Sequence, residues 1–513
     1  MSKNTDTAIK KPIVGEDPIW DANQLSKGNQ LLLGLQHLFA MFGATVLVPL
    51  LTGLDISTTL FMSGIGTLIF HLITKRKVPA YLGSSFSFLA GYAALAPLID
   101  GQPNTEMLPY ANGGIFVSGI LFIVFAGLIR YFGANRIMRF FPPIVTGPMI
   151  IVIGIGLAPG AIGNASTNWL LAGITFAVIV FFNIWGKGMS KVIPIMIGVI
   201  VGYVVALFMH EVDFSHMSDL DAFGIPFATD RIMKFNWESI AVMVPISLAT
   251  LMEHVGDISA ISSTTGKNYV KDPGLHRTLL GDGLATSFST AFGGPDMTTY
   301  GENIGVMALT KVYSPKVMRI AAVIAVILAF FPGVSGAIRS IPDAVIGGTS
   351  IILYGMIAST GVRTLVDNRT DFSKSRNMII AGVIFVTGLG LPDGLPITAT
   401  FSLPGIAVAA VVGIFLNIIL PGNDYVFNID EPESTGVDFS VRNREDELLV
   451  EGKMQEREVQ IQEANEAYER YLAEDRARIR ARREGIDVNG DFEYSTKDKP
   501  GTLAQRDDID IND

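Results

Sequence analysis

Two glutamates lie within stretches that otherwise contain mostly apolar and small residues. Glu253 lies in SIAVMVPISLATLMEHVGDISAIS, and Glu302 lies in MTTYGENIGVMALT. A carboxylate near the centre of a bilayer costs several kcal/mol, so it usually marks a pathway for a substrate or an ion. An apolar environment also favours the neutral form of a carboxyl group, which suits a group that takes up and releases a proton. The pair therefore predicts a substrate acceptor and a proton carrier; a structural hydrogen bond between helices is the alternative.

A third carboxylate and two histidines lie close to these glutamates or at matching places in the chain. Asp257 follows Glu253 by four residues and so shares its helical face. Two ionised carboxylates one turn apart repel each other, so one of them is expected to hold a proton; the alternative is a solvated Asp257 at a helix end. His254 and His37 are interpreted as structural hydrogen-bonding groups. The order of Glu253, His254 and Asp257 does not match the His-Glu-x-x-His zinc motif, and we predict neither a metal site nor a catalytic residue.

The composition predicts an all-α polytopic protein surrounded by membrane lipid. Mean hydropathy is +0.42, only 17% of the 513 residues are charged, and 53 are glycine. Apolar runs of about 20 residues, each long enough to cross a hydrocarbon core of about 30 Å, recur from Leu31 to Leu420. About 14 transmembrane segments are predicted, at 31–53, 56–74, 83–99, 113–132, 143–162, 168–186, 191–209, 239–260, 276–293, 299–312, 317–336, 342–365, 376–392 and 402–420.

The charge of the chain is unevenly distributed. Residues 423–513 hold 25 acidic and 13 basic residues, whereas the rest of the chain holds 23 and 25. The net charge of −10 therefore belongs to an acidic tail, 422–513, and nothing indicates binding of nucleic acid. Within this tail, Glu445 to Gly485 predicts a solvated helix, with a coiled coil as the alternative, and the stretch beyond is expected to be disordered. The chain contains no cysteine, which excludes disulfides and cysteine–metal sites.

Basic residues are concentrated in alternate loops between the predicted spans. The loops at 100–112, 163–167, 210–230 and 393–401 contain almost no Lys or Arg. Because loops rich in Lys and Arg face the cytoplasm, both termini are expected there, including an N-terminal segment 1–27 without a cleaved signal peptide. The basic residues are Lys75, Arg76, Lys77, Arg130, Arg136, Arg139, Lys187, Lys191, Lys267, Lys271, Lys311, Lys316, Arg319, Arg363, Arg369, Lys374 and Arg376.

The two halves of the chain resemble each other. Residues 35–37 (Leu-Gln-His) resemble 252–254 (Met-Glu-His) at an offset of 217, and 81–84 (Tyr-Leu-Gly-Ser) resemble 300–302 (Tyr-Gly-Glu) at an offset of 219. An odd number of spans in each half, about seven, forces the halves into opposite orientations. Such an inverted repeat, with interrupted spans at matching positions, is typical of secondary transporters.

Each half contains one span that is interrupted near Pro or Gly, at 78–86 and at 295–301. Irregular backbone at membrane depth survives only where it pairs internally or lines a cavity. We therefore predict two short strands, at the broken segments 3 and 10, that pair near the midplane. The helix after each strand would point its N-terminal N–H groups at a common polar pocket. The rings of Phe86 and Tyr300 could stack there on a planar ligand, and ordinary packing is the alternative.

Four stretches of the sequence resemble the nucleobase–ascorbate transporter (nucleobase:cation symporter) family, and within it the bacterial uracil permeases. Residues 302–311, which read Glu-Asn-Ile-Gly followed by Thr-Lys, match the family signature Gln/Glu/Pro-Asn-x-Gly-x4-Thr-Arg/Lys/Gly. The resemblance covers residues 28–420, and the acidic tail lies outside it. The four stretches are 36–45 (QHLFAMFGAT), 79–86 (PAYLGSSF), 272–277 (DPGLHR) and 298–306 (TTYGENIGV).

The resemblance implies how the chain is organised and what it does. A core domain at 28–132 and 239–336 would carry the substrate, and a gate domain at 133–238 and 337–421 would support a homodimer. The implied activity is proton-coupled, elevator-like uptake of uracil through the bacterial plasma membrane, with the co-transported proton and no other cofactor. It is a carrier and not an enzyme.

The resemblance also implies the residues of the site. Substrate would be bound by Glu253 and Glu302 and by backbone groups at Phe86 and Gly301, with Tyr300 beside them. The proton would be carried by Glu253 and Asp257. The residues expected to support the site are Asn303, His254 and Ser85.

The chain departs from the family pattern at two places. Some close uracil:proton symporters have His where this chain has Asp257, so the proton-linked hydrogen bond to the glutamate would be carboxyl–carboxyl or water-mediated here. Asp296-Met297 stands where relatives often have a small residue and Asn. Glu rather than Gln at position 302 favours uracil, and a purine or xanthine permease of the same family is the alternative.

Other classes of membrane protein fit the sequence less well. An anion carrier would place a cationic residue at the broken spans, and none occurs there. An intramembrane aspartyl protease needs two catalytic Asp in adjacent helices, and Asp393 is only an isolated Asp at the end of a predicted span. An ion channel would leave the paired helix breaks unexplained.

Overall fold

The fold is taken from a computed structural model of the chain. The structure describes residues 12–99, 101–214, 221–227, 231–392, 394–398 and 402–422, together with 425–427, 429 and 473. The chain divides into two compact units, Met1–Val437 and Asp438–Asp513. All the elements below belong to the first unit. The predicted helix at 445–485 and the predicted disorder after it lie outside the described residues, apart from Ala473.

Helices dominate the described part of the chain, and four very short strands accompany them. The α-helices are α1 (Lys27–Thr52), α2 (Ile56–Ile73), α3 (Leu89–Leu95), α4 (Leu108–Phe132), α5 (Ala134–Met138), α6 (Pro143–Ser166), α7 (Trp169–Trp185), α8 (Met189–Val192), α9 (Pro194–Phe208), α10 (Trp237–Thr265), α11 (Leu275–Ala291), α12 (Glu302–Thr310), α13 (Pro315–Leu328), α14 (Pro332–Arg339), α15 (Asp343–Asp367), α16 (Ser375–Gly390) and α17 (Gly405–Ile419). The strands are β1 (Leu82–Gly83), β2 (Thr298–Thr299), β3 (Leu395–Pro396) and β4 (Ser402–Leu403). Short 3-10 helices lie at Ala22–Gln24 and Phe86–Phe88, and a π-helical turn lies at Val270–Gly274.

Polar side chains mark the beginnings of several helices. Asp55 Oδ1 accepts the backbone N–H of Thr58 at 2.8 Å, at the start of α2. Asn236 Oδ1 accepts the N–H of Ser239 at 2.9 Å, at the start of α10. The first N–H groups of a helix have no partner within it, and these side-chain acceptors satisfy one of them at each helix.

Six of the described helices, α1, α2, α4, α6, α10 and α15, have the length and hydropathy to cross a membrane. Further apolar helices of 10–17 residues include α7, α9, α16 and α17. These positions agree with the predicted spans, and the chain is a multi-pass membrane protein. The predicted span at 317–336 is wrong as a single helix, because α13 and α14 meet at 86°. Pro332, which has no N–H to continue the helix, begins α14 after the bend.

The predicted spans at 83–99 and 299–312 are not continuous helices either. β1 leads through the 3-10 helix into the short α3, and β2 leads into the short α12. The two strands pair in antiparallel fashion, with Leu82 opposite Thr299 and Gly83 opposite Thr298. The prediction of two short paired strands at the broken segments is therefore confirmed.

The helices pack in two sets, each of which combines helices from both halves of the chain. In one set, α11 packs against α4 and α2, and α13 packs against α2 and α1. In the other, α15 packs along α6 and against α7, and α16 packs against α17 and α6. Small residues permit the close approach of α6 and α15: a Cβ on Gly154 would lie 2.6 Å from the carbonyl oxygen of Tyr354.

The loops that follow α2, α10 and α12 share one end of the molecule with the segment before α1. Lys77 Nζ donates to Asp272 Oδ1 at 2.7 Å, which joins the first two loops. The centres of the Trp20 and Tyr313 rings lie 5.7 Å apart. Lys267 Nζ lies 5.2 Å from the centre of the Trp20 ring. Three loops that the sequence identifies as basic therefore meet on the same side.

The segment before α1 is hydrogen-bonded to the chain that follows α12. Gly15 N–H donates to Thr310 O at 2.8 Å, and Ile19 N–H donates to Lys311 O at 2.8 Å. Tyr313 N–H donates in turn to Ile19 O at 2.8 Å. The Ile19 side chain is fully buried, so this segment is an integral part of the fold.

Candidate functional site

The two broken segments are held at membrane depth by threonine hydroxyls as well as by their mutual pairing. Thr67 Oγ1, from α2, accepts the N–H of Leu82 at 2.9 Å and donates to its carbonyl oxygen at 3.3 Å. Thr286 Oγ1, from α11, accepts the N–H of Met297 at 3.1 Å and donates to its carbonyl oxygen at 2.8 Å. One hydroxyl thus satisfies both backbone groups of a residue that no helix pairs, which is what permits irregular backbone in a bilayer.

The side chain of Tyr300 connects the two breaks. The hydroxyl of this side chain donates to Ser84 O at 3.1 Å and accepts from Thr45 Oγ1 at 3.2 Å. The backbone N–H of Tyr300 also donates to Tyr81 O at 2.9 Å. The ring covers Gly83 so closely that a Cβ there would overlap it. Tyr300, predicted to lie beside the substrate, is buried in this position. Phe86, the other aromatic residue predicted for the site, is half-buried.

Glu253 receives two hydroxyl hydrogen bonds from the first break. Its Oε2 atom accepts from Ser85 Oγ at 2.9 Å and from Ser87 Oγ at 3.1 Å. Ser85 Oγ also accepts the N–H of Ser87 at 3.1 Å and so caps the 3-10 helix that begins at Phe86. The residues on both sides of Phe86 therefore face the carboxylate of α10. One of them is Ser85, which the resemblance implies as a supporting residue.

Asp257, one turn further along α10, receives a hydroxyl hydrogen bond from the second break. Its Oδ2 atom accepts from Thr299 Oγ1 at 3.1 Å. Gly301 follows Tyr300 in the chain. A Cβ added to Gly301 would lie 3.7 Å from Asp257 Oδ1 and would have no other close neighbour. α10 thus presents two carboxylates on one face, each held by a different break.

Glu302 begins α12 directly after the exposed Gly301. A carboxylate in the first turn of a helix is stabilised by the free N–H groups and the helix dipole. The next residue, Asn303, donates from Nδ2 to His37 O at 3.0 Å and contacts His37 Nδ1 at 3.1 Å. This pair ties α12 to α1, and the role of Asn303 in supporting the site stays a prediction.

His254 faces away from the predicted site. Its Nδ1 atom lies 3.3 Å from Asp282 Oδ2 of α11, and neither side chain is exposed. The ring also packs edge-on against Phe70, with the ring centres 6.4 Å apart. His254 is therefore buried in the helix packing, but neither ring nitrogen makes a hydrogen bond within the described residues, so the predicted hydrogen-bonding role is not seen. Asp282 is a close neighbour that sequence reasoning missed.

Three further residues of the site were missed by sequence reasoning. Ser87 and Thr299 each bind one of the α10 carboxylates, and Asp296 Oδ2 accepts the N–H of Ser85 at 3.1 Å. The signals in the sequence are that these residues lie in or beside the broken segments and that Asp296 departs from the family pattern. Hydroxyl residues are common throughout the spans, so their type alone does not distinguish them.

The arrangement can accept hydrogen bonds from a neutral ligand. Glu253, Asp257 and Glu302 are half-buried, in contrast to the fully buried Asp282 and Asp296. Within the part of the chain that the structure describes, the hydrogen bonds to the two α10 carboxylates come from hydroxyl groups and not from Lys or Arg. Their remaining lone pairs suit N–H donors on a ligand.

Comparison with known proteins identifies relatives that this chain matches over most of their length. The model of the Permease family of xanthine and uracil permeases matches residues 28–397. The uracil permease of Bacillus caldolyticus is 45% identical over 409 residues, which cover 77% of this chain and 93% of that protein. The uracil permease of Bacillus subtilis is 42% identical, covering 75% and 91%, and that of Escherichia coli K12 is 39% identical, covering 75% and 90%.

Solved structures with a similar fold come from more distant transporters. The transmembrane domain of the cyanobacterial bicarbonate transporter BicA aligns with a TM-score of 0.51 at 15% identity, covering 76% of this chain and 96% of that chain. The murine anion transporter Slc26a9, in the inward-facing state, aligns with a TM-score of 0.55 at 11% identity, covering 77% and 68%. At this identity the likeness shows a common fold. By its sequence match over most of its length, the chain is a transporter that belongs to the permease family of the nucleobase–ascorbate transporters.

Proposed function

We propose that this protein takes up uracil across the bacterial plasma membrane together with a proton. The observation that carries the proposal is the arrangement on α10, where Glu253 is held by hydroxyls of the first break and Asp257 by a hydroxyl of the second. Because each break is hydrogen-bonded to a carboxylate of the same helix, binding of a ligand or a proton to either carboxylate would affect the position of both breaks.

The relatives named as uracil permeases support uracil as the substrate. Uracil is a neutral, flat ring with N–H donors and carbonyl acceptors. Glu302 and Glu253 would accept from its N–H groups, and the backbone at Gly301 and Phe86 would contact its edge. The half-buried ring of Phe86 would pack against the ligand.

Glu253 and Asp257 are the proposed proton carriers. They are one turn apart on one helix face, and neither has a basic partner among its hydrogen bonds in the described residues. Two ionised carboxylates at this spacing repel, so the pair is expected to hold one proton in some states and release it in others. The hydroxyls of Ser85, Ser87 and Thr299 can stay bound to either form.

An elevator-type alternating access is proposed for the movement. The packing of the helices in two sets supports the proposed division into a core domain (28–132 and 239–336) and a gate domain (133–238 and 337–421). Pairing of a break from each half supports two inverted repeats of about seven segments. The core would slide against the gate, and the gate would form a homodimer.

Both termini are proposed to face the cytoplasm. The basic loops after α2, α10 and α12 meet at one end, and the segment before α1 contacts them there. Loops rich in Lys and Arg remain on the cytoplasmic side of a membrane.

Uptake of labelled uracil in a permease-deficient bacterial strain, with and without a proton uncoupler, tests the proposal. Uptake should need the proton gradient, and unlabelled uracil should abolish it while xanthine changes it little. Glu302→Ala should eliminate uptake, whereas the matched control Glu238→Gln, at the start of α10 and outside the site, should retain it. Efficient competition by xanthine would favour the purine alternative, and normal uptake by Glu302→Ala would overturn the site assignment.

A further inference from the structure

Asp296 is a carboxylate in the second break that the proposed mechanism does not use. It lies two residues before β2 and its side chain is 0% exposed. A fully buried carboxylate at membrane depth is costly unless its hydrogen bonds serve the structure or the function.

Asp296 accepts a hydrogen bond from a residue in the other half of the chain. Its Oδ2 atom accepts the backbone N–H of Ser85 at 3.1 Å. Its Oδ1 atom has no hydrogen-bond partner among the residues that the structure describes. The interaction therefore joins the second break to the first over 211 positions of sequence.

Ser85 connects Asp296 to Glu253 of the proposed binding site. The N–H that Asp296 accepts belongs to the residue that caps the 3-10 helix, and its hydroxyl donates to Glu253 Oε2 at 2.9 Å. Without an acceptor, that buried N–H would lack a partner, and the backbone of Ser85 could rotate to find one. A rotation there would move the hydroxyl away from Glu253.

We propose that Asp296 is a positioning residue for substrate binding. Asp296 fixes the backbone of Ser85, and the hydroxyl of Ser85 then holds the carboxylate of Glu253 in place. The ligand in this inference is uracil, so the affinity part of the test rests on the proposed function. The role requires an acceptor oxygen at position 296 and not its negative charge. Asn can supply that oxygen in the same place, and Ala cannot.

Two readouts on purified protein test the inference. The first is the equilibrium dissociation constant for uracil by calorimetry, for Asp296→Asn, Asp296→Ala and the control Glu238→Gln. We expect Asp296→Ala to weaken binding by about tenfold or more, as for loss of a hydrogen bond to a charged group, and Asp296→Asn to stay within about threefold. In the background of Ser85→Ala, the effect of Asp296→Ala should largely disappear, because the two residues act through one contact.

The second readout needs no ligand. Hydrogen–deuterium exchange of the peptide that contains Ser85 should be faster in Asp296→Ala than in wild type, and should remain slow in Asp296→Asn. Equal exchange in all three proteins, or equal loss of affinity in the Asn and Ala variants, would overturn the inference. If Asp296→Ala does not fold, Asp296→Ser, whose hydroxyl is too short to reach Ser85, replaces it. A wild type that does not bind uracil contradicts the proposed function, and the exchange measurement then still decides whether Asp296 holds Ser85.

Discussion

Thr299 donates a hydrogen bond from its hydroxyl to Asp257 Oδ2 at 3.1 Å, which links the strand of the second break to the face of α10 that carries Glu253. The same Thr299 pairs through its backbone with Leu82 of the first break. A change in the protonation of Asp257 would therefore act directly on the strand pair. Under the proposed function, this connection would link proton binding to the geometry of the proposed substrate site.

Asp257→Asn should retain uracil binding and reduce its dependence on pH. Asn keeps an acceptor for Thr299 but cannot exchange a proton, so the coupling between uracil and the proton, typically about 5- to 150-fold, should fall to the part that Glu253 carries. Binding is measured by calorimetry below and above neutral pH, and uptake is measured in proteoliposomes with an imposed proton gradient. Thr299→Ser, which keeps the hydroxyl, is the matched control and should behave as wild type. Gradient-driven uptake by Asp257→Asn equal to that of wild type would exclude Asp257 as a proton carrier.

Gly83→Ala and Gly301→Ala should separate folding from binding. A Cβ on Gly83 would overlap the buried ring of Tyr300, so this variant should melt at a lower temperature and bind uracil poorly. A Cβ on Gly301 meets only Asp257 Oδ1 at 3.7 Å, so that variant should fold normally. Its methyl group would nevertheless occupy space beside the carboxylates and weaken uracil binding by about tenfold. The measurements are thermal melting in detergent and calorimetry, and a Gly301→Ala protein with wild-type affinity would place the ligand elsewhere.

Asp282→Ala should destabilise the protein by about 3 kcal/mol, because it leaves His254 buried without its partner. Replacing both residues by Leu should recover much of the loss, since the apolar pair leaves no unsatisfied polar group. The exposed pair of Arg363 and Asp367, 3.0 Å apart, offers a control, and Asp367→Ala should cost less than about 1 kcal/mol. The check is chemical denaturation in mild detergent. Equal effects of the two Ala variants would show that the buried pair does not stabilise the core.

Ile19→Asp should destabilise the segment before α1 and weaken uracil binding. Ile19 is fully buried and is hydrogen-bonded through its backbone to Lys311 and Tyr313, in the loop that directly follows α12. Burying a charge there should cost about 2 kcal/mol or more and loosen the helix that begins with Glu302. Ile13→Asp is the control, since that side chain is 44% exposed. Melting temperature and uracil affinity are compared, and similar values for both variants would argue against a structural role of this segment.

The sequence by itself determined the class of protein, the positions of most helices, the two breaks and the three carboxylates at the site. These features have local causes. Apolar runs of a given length indicate membrane spans, Pro and Gly interrupt helices, and an acid in an apolar run usually marks a functional site. The bend between α13 and α14 shows the limit of such reasoning, because the hydropathy of 317–336 is that of a single span.

Only the tertiary structure decided which hydroxyl holds which carboxylate. Ser85 and Ser87 reach Glu253 across 168 and 166 positions of sequence, Thr299 reaches Asp257, and Asp296 is buried against Ser85. Strands of two residues have no periodicity that a sequence can reveal, and one serine or threonine resembles another until packing brings it to an acceptor. The pairing of the two breaks depends on how helices from both halves pack together, and that packing is a property of the whole fold.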